Sequence, residues 1–276
     1  MFGVLLASVG ALFEEVADVI GKAKMKAREE SIYGMAFLSF FWGPFWFLAV
    51  ILWKHQFVFQ LASLPVFIPR VILEIIQIHF TVRAIAKADR STFSFIRTGT
   101  IPLLIAADIM LGYPLAGHQI AGMALIALAL ALIFAGRAVA KDGMLFIILS
   151  TIGAAATTTL YKYDIAHFNS VEAEQFVLVG MLVVYFFLYA LIIRKENLLR
   201  LLGRRTYFIQ SFSSGFGGVL ESFAFLFAPA SIITAARRAA SVLWGVLSGN
   251  VYFHEKHIFL KIAFFTLLAA GTILLV

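Results

Sequence analysis

Not one cysteine occurs in the 276 residues, so the chain can build no disulfide, thiol nucleophile or thiolate metal site. Charge is also scarce: 13% of residues are Asp, Glu, Lys or Arg, about half the share usual in soluble domains. A water-soluble domain of this size could bury a large core, but it would still need a polar exterior that this composition does not supply. No Gly-x-Ser-x-Gly elbow, phosphate loop, dinucleotide glycine pattern or His-Glu-x-x-His occurs, so an enzyme is not expected and no cofactor is implied. His254 and His257 stand three apart in a short turn without further ligands nearby, and no metal is expected there. The +7 balance, 22 basic against 15 acidic residues, is spread between apolar stretches and not along one helix face, which argues against a nucleic-acid partner.

What the chain has instead is apolar length. Hydrophobic residues make up 62% of it, 29 of them Phe, and the mean hydropathy is +0.96. Apolar blocks run over about 3–22, 31–53, 65–87, 91–111, 116–136, 143–162, 172–193, 206–228, 231–251 and 258–276. Each is about as long as a helix needs to cross roughly 30 Å of hydrocarbon at 1.5 Å per residue. Helices are expected because lipid offers backbone groups no partner, whereas a barrel calls for shorter alternating strands. The predicted class is therefore an all-α polytopic membrane protein of ten transmembrane helices. Met1 to Ile20 lacks a basic start and a small-residue cleavage motif and carries Glu14, Glu15 and Asp18, so a retained first span is expected, not a processed leader.

The blocks and turns of residues 3–136 fall without a gap on those of 143–276, with Gly3 against Gly143, Lys22 against Lys162, Ala88 against Ala228 and Arg97 against Arg237. Ser91 to Gly136 and Ser231 to Val276 share one plan: a small polar start, an arginine six residues in, an apolar stretch, a hydrophilic turn (Tyr113 to Gln119, His254 to His257) and a second apolar segment. Five spans per half is an odd number, so the halves, 1–138 and 139–276, enter the membrane from opposite faces. That is the inverted repeat with which many secondary transporters place a site at the midplane.

Several strings in this frame resemble the drug/metabolite transporter superfamily, in particular its EamA-like ten-helix members. They are Arg97 and Pro102 within RTGTIPLLIAADIMLGYPLAGHQIAGM, the Pro229-Ala230-Ser231 junction, Gly249 followed by His254-Glu255-Lys256, and Lys162 at the end of the sixth span. The resemblance covers nearly the whole chain and implies a carrier, with export as the direction seen among such relatives.

Loops 22–30, 87–90, 137–142, 194–205 and 254–261 share one side and hold most of the basic residues, among them Lys22, Lys24, Lys26, Arg28, Arg90, Arg137, Lys141, Arg194, Arg204, Arg205 and Lys256. The positive-inside bias places that side in the cytoplasm and both termini outside, in a membrane expected to be the prokaryotic inner one.

Ionisable groups at depth mark a cavity or a pathway. Glu14 and Asp18 stand four apart on one face of the first span, where two carboxylates can hold a proton between them, and Glu15 points about 100° away. Glu74 and Gln77 lie on the third span in a stripe with Arg70, which also stands i,i+4 from Glu74. Arg97 opens the fourth span, where Pro102 is expected to bend the helix. Thr157 and Lys162 mark the sixth span, Ser214 and Glu221 a glycine-lined stripe on the eighth, and Arg237 and Arg238 the ninth. A guanidinium fork suits carboxylate or phosphate. Together these residues define an expected substrate and coupling path, lined by spans one, three, four, six, eight and nine with five and ten outside. The expected partners are a small polar metabolite, amino-acid-like or anionic, protons if transport is coupled, and membrane lipid, with the chain a monomer or homodimer. A passive polar-solute channel stays open as an alternative, and a membrane-embedded enzyme as a lesser one.

Overall fold

The computed structural model describes residues 1–112, 116–135, 142–193, 195–255 and 258–275. Tyr113 and Pro114 of the first hydrophilic turn, the boundary at 138/139, and Gly136, Arg137, Lys141, Arg194, Lys256 and His257 lie outside the described residues. The described chain is helical and contains no strand. Its elements are α1 (Phe2–Lys26), α2 (Ile32–Phe41), α3 (Gly43–Lys54), a single 3-10 turn (Leu61–Ser63), α4 (Leu64–Lys87), α5 (Arg90–Arg97), α6 (Thr100–Met110), α7 (Gly117–Ala135), α8 (Met144–His167), α9 (Val171–Ile193), α10 (Leu199–Leu202), α11 (Arg205–Ala224), α12 (Ala230–Phe253) and α13 (Ile258–Leu275).

Five helical stretches, Ile32–Lys54, Leu61–Lys87, Arg90–Met110, Met144–His167 and Val171–Ile193, are long and apolar enough to cross a membrane. Burial is inverted relative to a soluble protein. Arg90 is 1% exposed and Glu174 0%, while Met110 is 88% and Ile192 69% exposed. Charge inside and bare aliphatic surface outside is the arrangement a hydrocarbon solvent selects, and the chain is a membrane-embedded protein.

Two of the apolar blocks are broken rods. The second breaks at Trp42, where Pro44 opens α3 and leaves one of the donors that a helix start cannot pair anyway. In the fourth, the expected bend at Pro102 is displaced. The chain turns at Thr98 and Gly99, whose N–H groups bond back to Phe95 and Ile96 at 3.0 Å each, so Pro102 falls in the first turn of α6, where its missing donor costs little.

Helix α1 packs on α11 and α12, and α8 packs on α4, α5 and α6. Between these groups α12 meets α5 and α6, α9 meets α2 and α3, and α7 pairs with α13. The α1–α11 contact is backbone against backbone: a Cβ on Gly10 would lie 2.9 Å from the Gly217 carbonyl oxygen, and one on Gly217 would lie 2.8 Å from that of Gly10. Small residues let the two helices approach this closely, which sets the distance from α1 to the charged groups of α11 and α12.

Candidate functional site: a charged cavity within the helix bundle

A cavity of about 270 Å³ lies inside the bundle, and every candidate path residue except Lys162 lines it: Glu14, Asp18, Glu74, Gln77, Arg97, Thr157, Ser214, Glu221, Arg237 and Arg238. Among the described residues, none of α7 or α13 lines it. The wall is wider than the six expected spans, since Met35, Ser39 and Phe47 of the second block and Gln175 and Leu178 of α9 also belong to it. Trp42 and Trp46 instead pack edge-on to Phe212 of α11, away from the cavity wall.

Helical spacing put Glu14 and Asp18 on one face, but the structure gives each a different cation. Arg237 of α12 clasps Glu14 at 2.5 Å and Glu221 of α11 at 2.8 Å. Arg90, the first residue of α5, clasps Glu15 at 2.6 Å and Asp18 at 2.9 Å. The proton-sharing pair expected at Glu14 and Asp18 is thus divided between two arginines, because α12 reaches α1 from one side and α5 from another. Glu15, expected to point away, is part of this network and also accepts a hydrogen bond from the Ser248 hydroxyl at 2.6 Å.

The third-span stripe is likewise re-partnered. Arg70 does not pair with Glu74 one turn along; it meets Glu174 of α9 and lies over the Tyr161 ring, 4.3 Å from its centroid. Gln77 accepts from the Thr157 hydroxyl at 2.8 Å, and Thr81 joins Ser150 at 2.7 Å, so α4 and α8 are stitched together along the wall. Arg97 donates to the backbone and hydroxyl oxygens of Ser150, and Arg238 donates from Nε to Thr100 at 3.2 Å. Lys162 has a structural position outside the wall, donating its ammonium to the carbonyls of Phe225 and Ala228. Its counterpart Lys22 donates to the carbonyl of Ala88.

Two carboxylates close the ends of the bundle from across it. Glu255, in the turn after α12, accepts from the backbone N–H of Arg90 at 2.5 Å and of Ser91 at 3.3 Å, from the Ser91 hydroxyl, and from Lys261 at 3.1 Å. Burial pushes the Glu255 carboxyl up, but Ser91 and Lys261 outweigh it and hold the group below the usual carboxylate range. Asp108 of α6 accepts from the backbone N–H of Ser231 at the start of α12, 2.9 Å away. Each is an acid on a buried helix N-terminus, favoured by the unpaired donors and the helix dipole there.

Sequence reasoning missed Arg90, which read as a loop-side basic flank, along with Glu15, Glu174 and Glu255. A buried arginine at a helix start leaves no periodic signal. No group of three His, Cys, Asp or Glu suited to a metal occurs among the described residues. The arrangement offers charged and hydroxyl groups converging on a cavity inside the bundle, which is the chemistry of binding a small polar solute. No protein-family model matches the chain, and no curated protein sequence does.

Proposed function

We propose that this chain is a secondary carrier of ten spans in two inverted halves, 1–138 and 139–276, which moves a small polar organic metabolite, amino-acid-like or anionic, by alternating access. The observation that carries the proposal is the repetition of one tertiary contact in the two halves. Lys22 bonds the carbonyl of Ala88, and Lys162, 140 residues later, bonds that of Ala228. Several helix pairings follow the same exchange: α1 on α11 and α12 becomes α8 on α4 and on α5 with α6, while the pairs α7–α13, α12–α5/α6 and α9–α2/α3 map onto themselves; the packing of α11 on α2 and α3 has no counterpart of similar extent between α4 and α9. A two-fold relation of this kind would set the charged cavity between the halves with a route to each face, as alternating access requires. Glu255 on α5 and Asp108 on α12 are the contacts that would part in turn. The resemblance to EamA-like transporters points the same way.

The test is solute transport by the purified protein in proteoliposomes, with a panel of amino acids, carboxylates and phosphate esters, with and without a proton gradient. Exchange of a labelled solute against unlabelled solute, with transient accumulation above equilibrium, is expected. A passive channel equilibrates without that overshoot, and failure of every solute to exchange through correctly inserted protein overturns the carrier reading. Reporter fusions at Met1 and Val276 test the expected orientation, and a cytoplasmic signal at both would reverse it.

A further inference from the structure

The charges around the cavity are not evenly matched. Arg237 has two carboxylates, Arg90 has two, and Arg70 has Glu174. Arg97 and Arg238 have none: among the described residues neither forms an ion pair, although Arg97 is 5% exposed and Arg238 4%. Arg97 spends Nη1 on Ser150 and sets its guanidinium 5.6 Å from the centre of the Phe93 ring, while its Nε is buried without any hydrogen-bond partner. Arg238 spends Nε on Thr100. The two arginines act on each other as like charges. Glu14 and Glu221 act on both at longer range, but their short contacts go to Arg237.

Two buried guanidinium ions without a carboxylate partner, lining one cavity, are costly unless something else is meant to meet them. Local geometry does not force the arrangement. Arg97 and Arg238 come from α5 and α12, two helices in contact with each other, and beyond their bonds to Ser150 and Thr100 both side chains line the cavity. We infer that Arg97 and Arg238 together form an oxyanion subsite, which holds the carboxylate or phosphate head of a small solute between two guanidinium forks drawn from the two halves. The inference rests on the carrier reading for its biological setting, and it names the recognition element of that cavity. At about 270 Å³ the space is at or below the smallest pockets that hold drug-sized ligands, roughly 300 Å³, so the body attached to the anionic head is small. Placing the anion between residues of opposite halves also ties the solute to their relative position. Bound anion removes the repulsion between Arg97 and Arg238 and so favours the arrangement in which both guanidinium groups face the same cavity.

The subsite predicts an unusual pair of effects. Replacing either arginine by glutamine removes one of two repelling charges, so the ligand-free protein should unfold at the same temperature or higher. The same replacement should weaken stabilisation by an anion. A hydrogen-bonding strut to Ser150 or Thr100 would behave in the opposite way, lowering the ligand-free midpoint. The experiment is thermal unfolding of the purified full chain in detergent, titrated with acetate, succinate or inorganic phosphate at constant ionic strength against chloride. A rise in midpoint is expected for the unsubstituted protein with at least one oxyanion. Acetate or succinate acting alone assigns a carboxylate, and phosphate acting alone a phosphate ester. Arg97→Gln and Arg238→Gln should each weaken the apparent affinity at least tenfold, and Arg97→Lys should restore charge without restoring the fork. No shift with any of the three anions, or full shifts in both glutamine variants, overturns the subsite. Because binding is read without flux, a protein that binds anions but exchanges no solute keeps the subsite and loses the carrier. One that exchanges solute equally well with both glutamine substitutions loses only the subsite.

Discussion

Arg237 is the cation on which most of the bundle's interior electrostatics turn, and its removal has a calculable cost. It bridges Glu14 at 2.5 Å and Glu221 at 2.8 Å, and the three side chains are 17%, 24% and 18% exposed. Breaking a fully buried pair costs about 3–5 kcal/mol, and an exposed pair about 0–1 kcal/mol. With roughly a fifth of each side chain exposed, Arg237→Met should cost about 2–3 kcal/mol. Most of that is the penalty of leaving two carboxylates facing each other without a cation. One of them is then expected to bind a proton in the folded state that it does not hold when unfolded, so the folded variant carries more protons. Its stability must fall as pH rises, and the deficit against the unsubstituted protein should be larger at pH 8 than at pH 5. Neutralising the acids in the same background, as Arg237→Met with Glu14→Gln and Glu221→Gln, should recover at least half of the loss. The assay is reversible unfolding in mixed micelles followed by tryptophan fluorescence. A triple variant as unstable as Arg237→Met alone would refute the reasoning, because the arginine would then act through its packing volume and not its charge.

Gly217→Ala should cost about 1–3 kcal/mol by pushing α1 off α11, since its Cβ would sit 2.8 Å from the Gly10 carbonyl oxygen, whereas Gly218→Ala next to it meets nothing within 4 Å and should be neutral or stabilising in the same unfolding assay. Lys22→Met and Lys162→Met should cost about the same, roughly 1–2 kcal/mol each, because each removes one ammonium from helix-end carbonyls; a large difference in their unfolding free energies would count against equivalent halves. Glu30 sits in the loop between α1 and α2, where burial pushes its carboxyl from the ordinary 4.5 up to about 8 against the pull of Gln210 and Lys24. A raised carboxyl favours the fold while it is protonated, so this contribution is full below about 4.5 and is lost as pH rises through about 8. Glu30→Gln should flatten the fall of the unfolding midpoint across that window, and an unchanged slope would remove Glu30 as its source.

The lengths of the apolar blocks determined, without any structure, that the chain is helical and belongs in a membrane, because lipid penalises both unpaired backbone and exposed charge. Helical spacing also identified the faces. Glu14 and Asp18, Glu74 and Gln77, and Arg237 and Arg238 all reach the same cavity because an amphipathic stripe in an apolar span has only the interior to turn toward. Partnership was decided by the tertiary structure. Arg70 turns to Glu174 and not Glu74, Glu14 and Asp18 separate onto Arg237 and Arg90, and Lys162 leaves the cavity for the carbonyls of Phe225 and Ala228. A period of 3.6 residues says which way a side chain points, whereas the charge it meets depends on which helix stands opposite and at what distance. For α1 that distance depends on the bare backbones of Gly10 and Gly217, and for Arg97 on the break at Thr98 and Gly99 just after it. The pair left without carboxylates, Arg97 and Arg238, could be found only after the other cavity arginines, Arg70, Arg90 and Arg237, had been matched in three dimensions, because an absent partner has no signature in sequence.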